Sequence, residues 1–233
     1  DKRPYEFVEY TDNIKLTVES RTPDATIGLR TYETSSLQLV STCVDPGCNE
    51  DLGAEPPDRR LSQVDLKNMM TNSECGLIVD GLWGQTDLVF PFAVYGAKKE
   101  STSLEAALDQ VHHACRTYLA MLDDLARNPE NVAEYQTEES SRHQMFAFVS
   151  CDSLWQVLVA WNQAGACVSR NFEQLNNTSY RLLTGISLQM VETIWQGDVK
   201  HFDRATELIY LLNQIRRYAT HDHRDYVMKH LEA

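Results

Sequence analysis

The chain has 233 residues, with 34 acidic against 21 basic side chains and a net charge of −13; this excludes a broad basic face, and with it tight nonspecific binding to a phosphate backbone. A hydrophobic fraction of 42% is ordinary for a globular chain, and the length suits one domain of normal burial. No apolar run reaches membrane-spanning length, no secretory leader is present and residue 1 is Asp rather than Met, so the expectation is one domain without membrane contact, intracellular (nuclear or cytoplasmic), cut from a longer polypeptide.

Residues 1–24 mix charges with short apolar triplets, and Asp24 to Arg30 reads as a short strand leaving a turn at Pro23. Residues 41–60 turn to Asp, Glu, Pro and Gly, and the Pro56-Pro57 pair predicts a surface loop. Leu61, Val64 (or Asp65) and Met69 then recur at helical spacing and predict a short amphipathic helix that stops at Asn72.

Two apolar runs of strand character next flank Trp83-Gly84-Gln85-Thr86 and read as a buried hairpin. The second, Leu88 to Ala97, is apolar on both faces apart from Tyr95, the pattern of a strand covered on both sides. A turn at Gly84-Gln85 would set Glu74 opposite Gly96 and leave Asp80 and Asp87 near the turn, whereas a wider, bulged connection would carry Asp80 toward the strand end. Lys98 comes directly after the apolar run and presents an ammonium at the rim of a core, or serves as a gatekeeping charge at a strand end, the commoner role for a lysine there.

Ser103 is a fair N-cap for a helix reaching about Arg127, with Leu104, Leu108, Val111, Cys115, Leu119 and Leu122 on one stripe and Asp109, Arg116 and Asp123 facing water. Asn128-Pro129 ends it. After a polar stretch, residues 145–161 predict a second hairpin broken at Ser150–Ser153, its tryptophans and Trp195 belonging to the sheet core. Residues 162–187 read as loop, and Leu188 to Trp195 as an edge strand. Gly197-Asp198 is placed to cap a helix from Val199 to Tyr218, with Phe202, Ala205, Leu208, Ile209, Leu212 and Ile215 on one face. A short helix begins at about Asp222, His221-Asp222-His223 being its solvated start. Strands, helix, strands, helix predict an α/β sandwich: a central mixed sheet flanked by helices.

Six cysteines (Cys43, Cys48, Cys75, Cys115, Cys151, Cys167) are spread thinly, three within apolar runs, as suits buried thiols in a reduced compartment. Cys43 and Cys48 have no second pair or nearby histidine to complete a zinc site; a loop disulfide or coincidence is the plainer reading.

The string from Phe90 to Lys99, FPFAVYGAKK, resembles the third motif of the fungal branch of the PD-(D/E)XK nuclease-like superfamily, in which such a strand ends in an acid, one spacer residue and a lysine. The elements after the string are similar too: a long helix with an early glutamine, an aromatic-rich hairpin and a terminal helix, so the resemblance spans most of the chain. It implies a restriction-endonuclease-like sandwich in which acids hold magnesium and the metal lowers the pKa of a water that attacks a phosphodiester. Residues two apart on a strand share a face, so an acid at position 96 would point into the same cleft as Lys98. Here that position is Gly96.

The resemblance therefore implies a catalytic set of Lys98, Asp80, Asp87 and Gln110, with Asp80, Asp87 and Glu74 as metal ligands and weak magnesium binding. Asp87 reads equally as a turn residue bonding its own backbone, and Gln110 matches the glutamine that orients a metal water or the lysine. The function expected is that of a divergent nuclease-like domain with a degraded centre, inactive in phosphodiester hydrolysis; the alternative is a pseudo-enzyme acting as a protein-interaction module. A relocated acid, Glu100 or Glu105, is a third reading. A basic rim around Lys98 would favour nucleic acid as partner, an acidic or apolar rim protein.

Overall fold

The structure, a computed structural model, describes residues 5–10, 16–32, 59–72, 88–98, 104–125, 143–163 and 188–231. Strands β1 (Tyr5–Tyr10) and β2 (Leu16–Arg21) pair as a separate antiparallel ribbon. The main sheet takes β3 (Ala25–Arg30), β4 (Leu88–Lys98), β5 (Gln144–Cys151), β6 (Leu154–Gln163) and β7 (Leu188–Asp198) in that spatial order. Only β4 and β5 run parallel; the other neighbours are antiparallel. Helices α1 (Gln63–Thr71), α2 (Leu104–Leu125), α3 (Phe202–Tyr218) and α4 (Arg224–His230) complete an α/β architecture with an open mixed sheet, as expected from the order of elements. Among the described residues no helix is long and apolar enough to cross a membrane.

The 22-residue α2 is the crossover that a parallel β4–β5 pair demands. Its buried stripe of Ala107, Val111, Ala114, Cys115, Tyr118 and Leu119 lies on Val94 of β4 and Met145, Ala147 and Val149 of β5. Asp109 and Arg116 face water, but Asp123, expected with them, is buried. There the helix end crosses β6, and Asn162 Nδ2 donates to Asp123 Oδ2 at 2.5 Å, so a neutral amide partner replaces water. On the opposite face Phe146, Phe148, Val157 and Val159 pack with Leu208 and Ile215 of α3, and Trp155, Trp161 and Trp195 sit half-buried at that cluster. A third cluster joins Leu66 of α1, Val89 and Phe90 of β4, Leu122, and Val227 and Met228 of α4.

Helix α1 begins where Ser62 Oγ accepts the amide of Asp65 at 3.1 Å. Its buried residue is Leu66, while Val64 is exposed. The expected cap at Gly197-Asp198 is instead the end of β7, with Asp198 Oδ1 accepting the Lys200 amide at 2.9 Å and His201 preceding the helix. Of the face expected on α3, only Leu208 and Ile215 are buried; Phe202, Ile209 and Leu212 are exposed. The β5–β6 hairpin closes through Asp152-Ser153, with Asp152 at φ 54°, a left-handed position that Asp tolerates.

Strand β4 lies inside the sheet, with Val89, Phe90, Ala93 and Val94 buried, as its two-sided apolarity predicts. Along Ala93–Tyr95 both its edges are taken, by β3 and β5, and the ladder partner of Gly96 on the β5 side is Val149; the first strand of the expected hairpin, with Glu74, lies outside the described residues. The β3 pairing skips Phe90 and Phe92 as two irregularities around Gly28. A Cβ at Gly28 would meet the Val89 carbonyl oxygen at 2.6 Å, so only glycine permits this approach. Pro91 is tolerated within the sheet because it sits in this bulged stretch. Residues 33–58, which hold most of the expected 41–60 loop, and 73–87 lie outside the described residues.

Candidate functional site: the end of strand β4

The polar residues expected to matter converge where β4 leaves the sheet beside α2. Lys98 and Gly96 are two apart on a strand and share the face that α2 covers. Lys98 Nζ donates to Gln110 Oε1 at 3.1 Å, so strand lysine and helix glutamine are in direct contact. Gln110 Nε2 in turn donates to the Thr22 carbonyl oxygen at 2.5 Å. The glutamine thus ties the lysine to the segment that enters β3.

That segment carries an acid absent from the expected set. Asp24 Oδ2 accepts the Ala97 amide at 2.7 Å. Ala25 pairs with Tyr95, and one step further along the same register Asp24 falls opposite Gly96, on the α2 face. The sequence cue is the Pro23-Asp24 pair, which by itself marks only a turn before a strand; that it meets β4 depends on a pairing across more than 60 positions. Cys115 and Cys151 are free thiols. Burial pushes the Cys115 thiol up to about 12, which makes it a packing residue, not a nucleophile.

The rim is of mixed charge. Arg21 Nη1 donates to Asp109 Oδ2 at 2.6 Å. The hydrogen bond from Arg21, assisted by the nearby His113, holds the Asp109 carboxyl below its ordinary range against the opposing effect of burial. His113 Nδ1 lies 2.8 Å from the Asp109 carbonyl oxygen, and His112 is half-buried with its pKa lowered, first by desolvation. His112 and His113 are thus packing and rim residues.

Position 96 is closed from above. A Cβ on Gly96 would lie 3.0 Å from Val111 Cγ1 and 3.6 Å from the Ala107 carbonyl oxygen, and Val111 is buried. The glycine permits close packing of helix on strand rather than opening a gap that a carboxylate would fill. Asp80, Asp87 and Glu74 lie outside the described residues.

The described residues do not fit a resident magnesium ion. The described carboxylates at this end of β4 are Asp24, one of whose oxygens already accepts the Ala97 amide, and Asp109 on the rim, which is engaged by Arg21. Among the described residues no group of three His, Cys, Asp or Glu side chains is placed to hold a metal. A hard divalent cation needs more oxygen ligands than this.

His223, expected at a solvated helix start, is instead buried within a π-helical turn, Ala219–His223, that joins α3 to α4. Its Nε2 lies 3.0 Å from the carbonyl oxygen of Phe90. A carbonyl only accepts, so Nε2 carries the hydrogen. Phe90 has φ 46°, a left-handed conformation that costs an aromatic residue on the order of 1–3 kcal/mol; the buried imidazole holds the bulge in place. Burial lowers the His223 pKa to about 4 against the opposing effect of the Phe90 bond, and lowers His143 to about 3, helped by His223 and His230.

No protein-family model, curated protein or solved structure matches the chain.

Proposed function

We propose that this chain is a divergent PD-(D/E)XK nuclease-like domain that keeps the scaffold of phosphodiester hydrolysis and has lost the reaction. The reading rests on the FPFAVYGAKK resemblance and on what surrounds its end in space. Lys98 is held by Gln110, and Asp24, one register step beyond the Ala25–Tyr95 pair, falls opposite position 96. The observation that carries it is Gly96 itself: on the face shared by Lys98, in register with Asp24, the acid of the motif is replaced by a glycine packed against Val111.

Without that acid, Lys98 and Gln110 serve to position each other and the Thr22 backbone. The mixed rim of Arg21, Asp24, Lys98 and Asp109 does not favour a phosphate backbone over a protein partner. A second reading, a pseudo-enzyme used as a protein-interaction module, is favoured by the exposure of Phe202 (82%), Tyr210 (67%) and Ile209 (58%) on α3.

Titration calorimetry with manganese tests the first reading. The natural chain should show no saturable binding at millimolar metal that Asp24→Asn removes. Stoichiometric binding that disappears in Asp24→Asn would show a working metal centre and sink the proposal.

A further inference from the structure

On the face of the sheet opposite Lys98, a cavity of about 400 Å³ opens between β3–β4 and the α3–α4 junction. Its floor is apolar: Phe92, Ala93 and Phe148 from the sheet, Ile215 and Ala219 from the helix side. Ile27 and Leu212 form a lip and are 44% and 41% exposed, so carbon that folding would ordinarily cover is left open to water.

The rim has the opposite character. Arg30 at the end of β3, Arg216 in the last turn of α3 and Arg224 at the start of α4 all line the same cavity and all are exposed. In a chain of net charge −13, three guanidiniums around one opening run against the overall balance. Among the described residues none of the three has a carboxylate partner. Arg216 and Arg224 flank the π-helical turn, whose Ala219 and Thr220 line the cavity between them, and Arg30 reaches it from the end of β3.

An apolar floor with a few convergent polar groups is the general form of a small-molecule site, and the volume lies within the usual range. The floor selects carbon, and the rim selects a planar or tetrahedral anion, since guanidinium forks match carboxylate and phosphate oxygens in pairs. We propose that this cavity binds a small amphiphilic anion, its acyl or aromatic body on Phe92, Phe148 and Ile215 and its carboxylate or phosphate head among Arg30, Arg216 and Arg224. The site is independent of the nuclease-like reading, because it shares no residue with the end of β4 beside α2.

The test is titration of the full chain with decanoate and with decyl phosphate, followed by calorimetry, with decanol and decyltrimethylammonium as controls of equal chain length. Saturable binding of at least one anion, with either control weaker by about ten-fold or more, is expected from the loss of charge-assisted hydrogen bonds; which anion binds more tightly identifies the head group. The double variant Arg216→Gln/Arg224→Gln should weaken the anion by a similar factor. Leu212→Asp should also weaken it. All three positions are exposed, so the variants should keep the thermal midpoint of the natural chain. Decanol binding as tightly as the anions, an unaltered affinity in the double variant, or no saturable binding would overturn the proposal. So would salt-sensitive binding of a DNA duplex, lost in the double variant, in place of the decyl ligands, because the arginines would then serve a phosphate backbone.

Discussion

Gly96 and Val111 are in near contact: a methyl group at residue 96 would stand 3.0 Å from Val111 Cγ1. Residue 96 is thus part of the seam between β4 and α2. Placing an acid there, as the proposed reading invites, is a packing problem before it is a chemical one. Gly96→Glu should lower stability by about 1–3 kcal/mol through overpacking, measured by urea denaturation. In a Val111→Ala background the same change should cost less, with a coupling of about 0.5 kcal/mol or more. Strict additivity of the two changes would mean that position 96 does not face Val111.

Leu119, 1% exposed, lies in the middle of the seam between α2 and the sheet. Leu119→Ala should cost about 2–5 kcal/mol. An unchanged thermal midpoint would contradict the packing of the crossover helix.

The buried histidines set a pH dependence. Their folded pKa values, about 4 for His223 and about 3 for His143, lie below the ordinary value of 6.5. As pH falls below 6.5 the unfolded chain takes up protons first, so the stability that depends on neutral imidazole is present above pH 6.5 and is lost through pH 4 and then pH 3. Each histidine should contribute a slope of up to about 1.4 kcal/mol per pH unit inside its window. Denaturation midpoints at pH 7.5, 6 and 5 should fall in that order, and His223→Gln, which cannot titrate there, should flatten the curve. Equal midpoints at pH 7.5 and 5 would place these imidazoles in water.

Much of this fold was legible because its signals are local. The stripe of α2, the two-sided apolarity of β4 and the β5–β6 hairpin each repeat within a short window, where periodicity and side-chain burial are the same observation. The Lys98–Gln110 pair joins a strand end to a helix start only twelve positions away, so it too is a local contact. What lay hidden is nonlocal. Asp24 reaches the end of β4 only through the β3–β4 register, and the bulge at Phe90 is held by His223 from the far end of the chain. Asp123 occupies a place on the helix that is polar by period, and only the crossing of β6 with Asn162 explains its burial.

The link between Lys98 and Gln110 should be measurable as an energy. Lys98→Met and Gln110→Ala in a double-mutant cycle should couple by about 0.5–1.5 kcal/mol in unfolding free energy, the net value of one hydrogen bond. Independent effects would mean that the two side chains do not meet.

The most direct measurement is cleavage of end-labelled single- and double-stranded DNA and RNA by the natural chain, with magnesium and with manganese, beside Lys98→Ala and Asp24→Ala. With glycine at residue 96, and with Asp24 and Asp109 already engaged by the Ala97 amide and by Arg21, the natural chain should cut no faster than either variant. Metal-dependent cleavage by the natural chain that vanishes in both Lys98→Ala and Asp24→Ala would contradict the loss of activity and make this a working nuclease with a relocated acid.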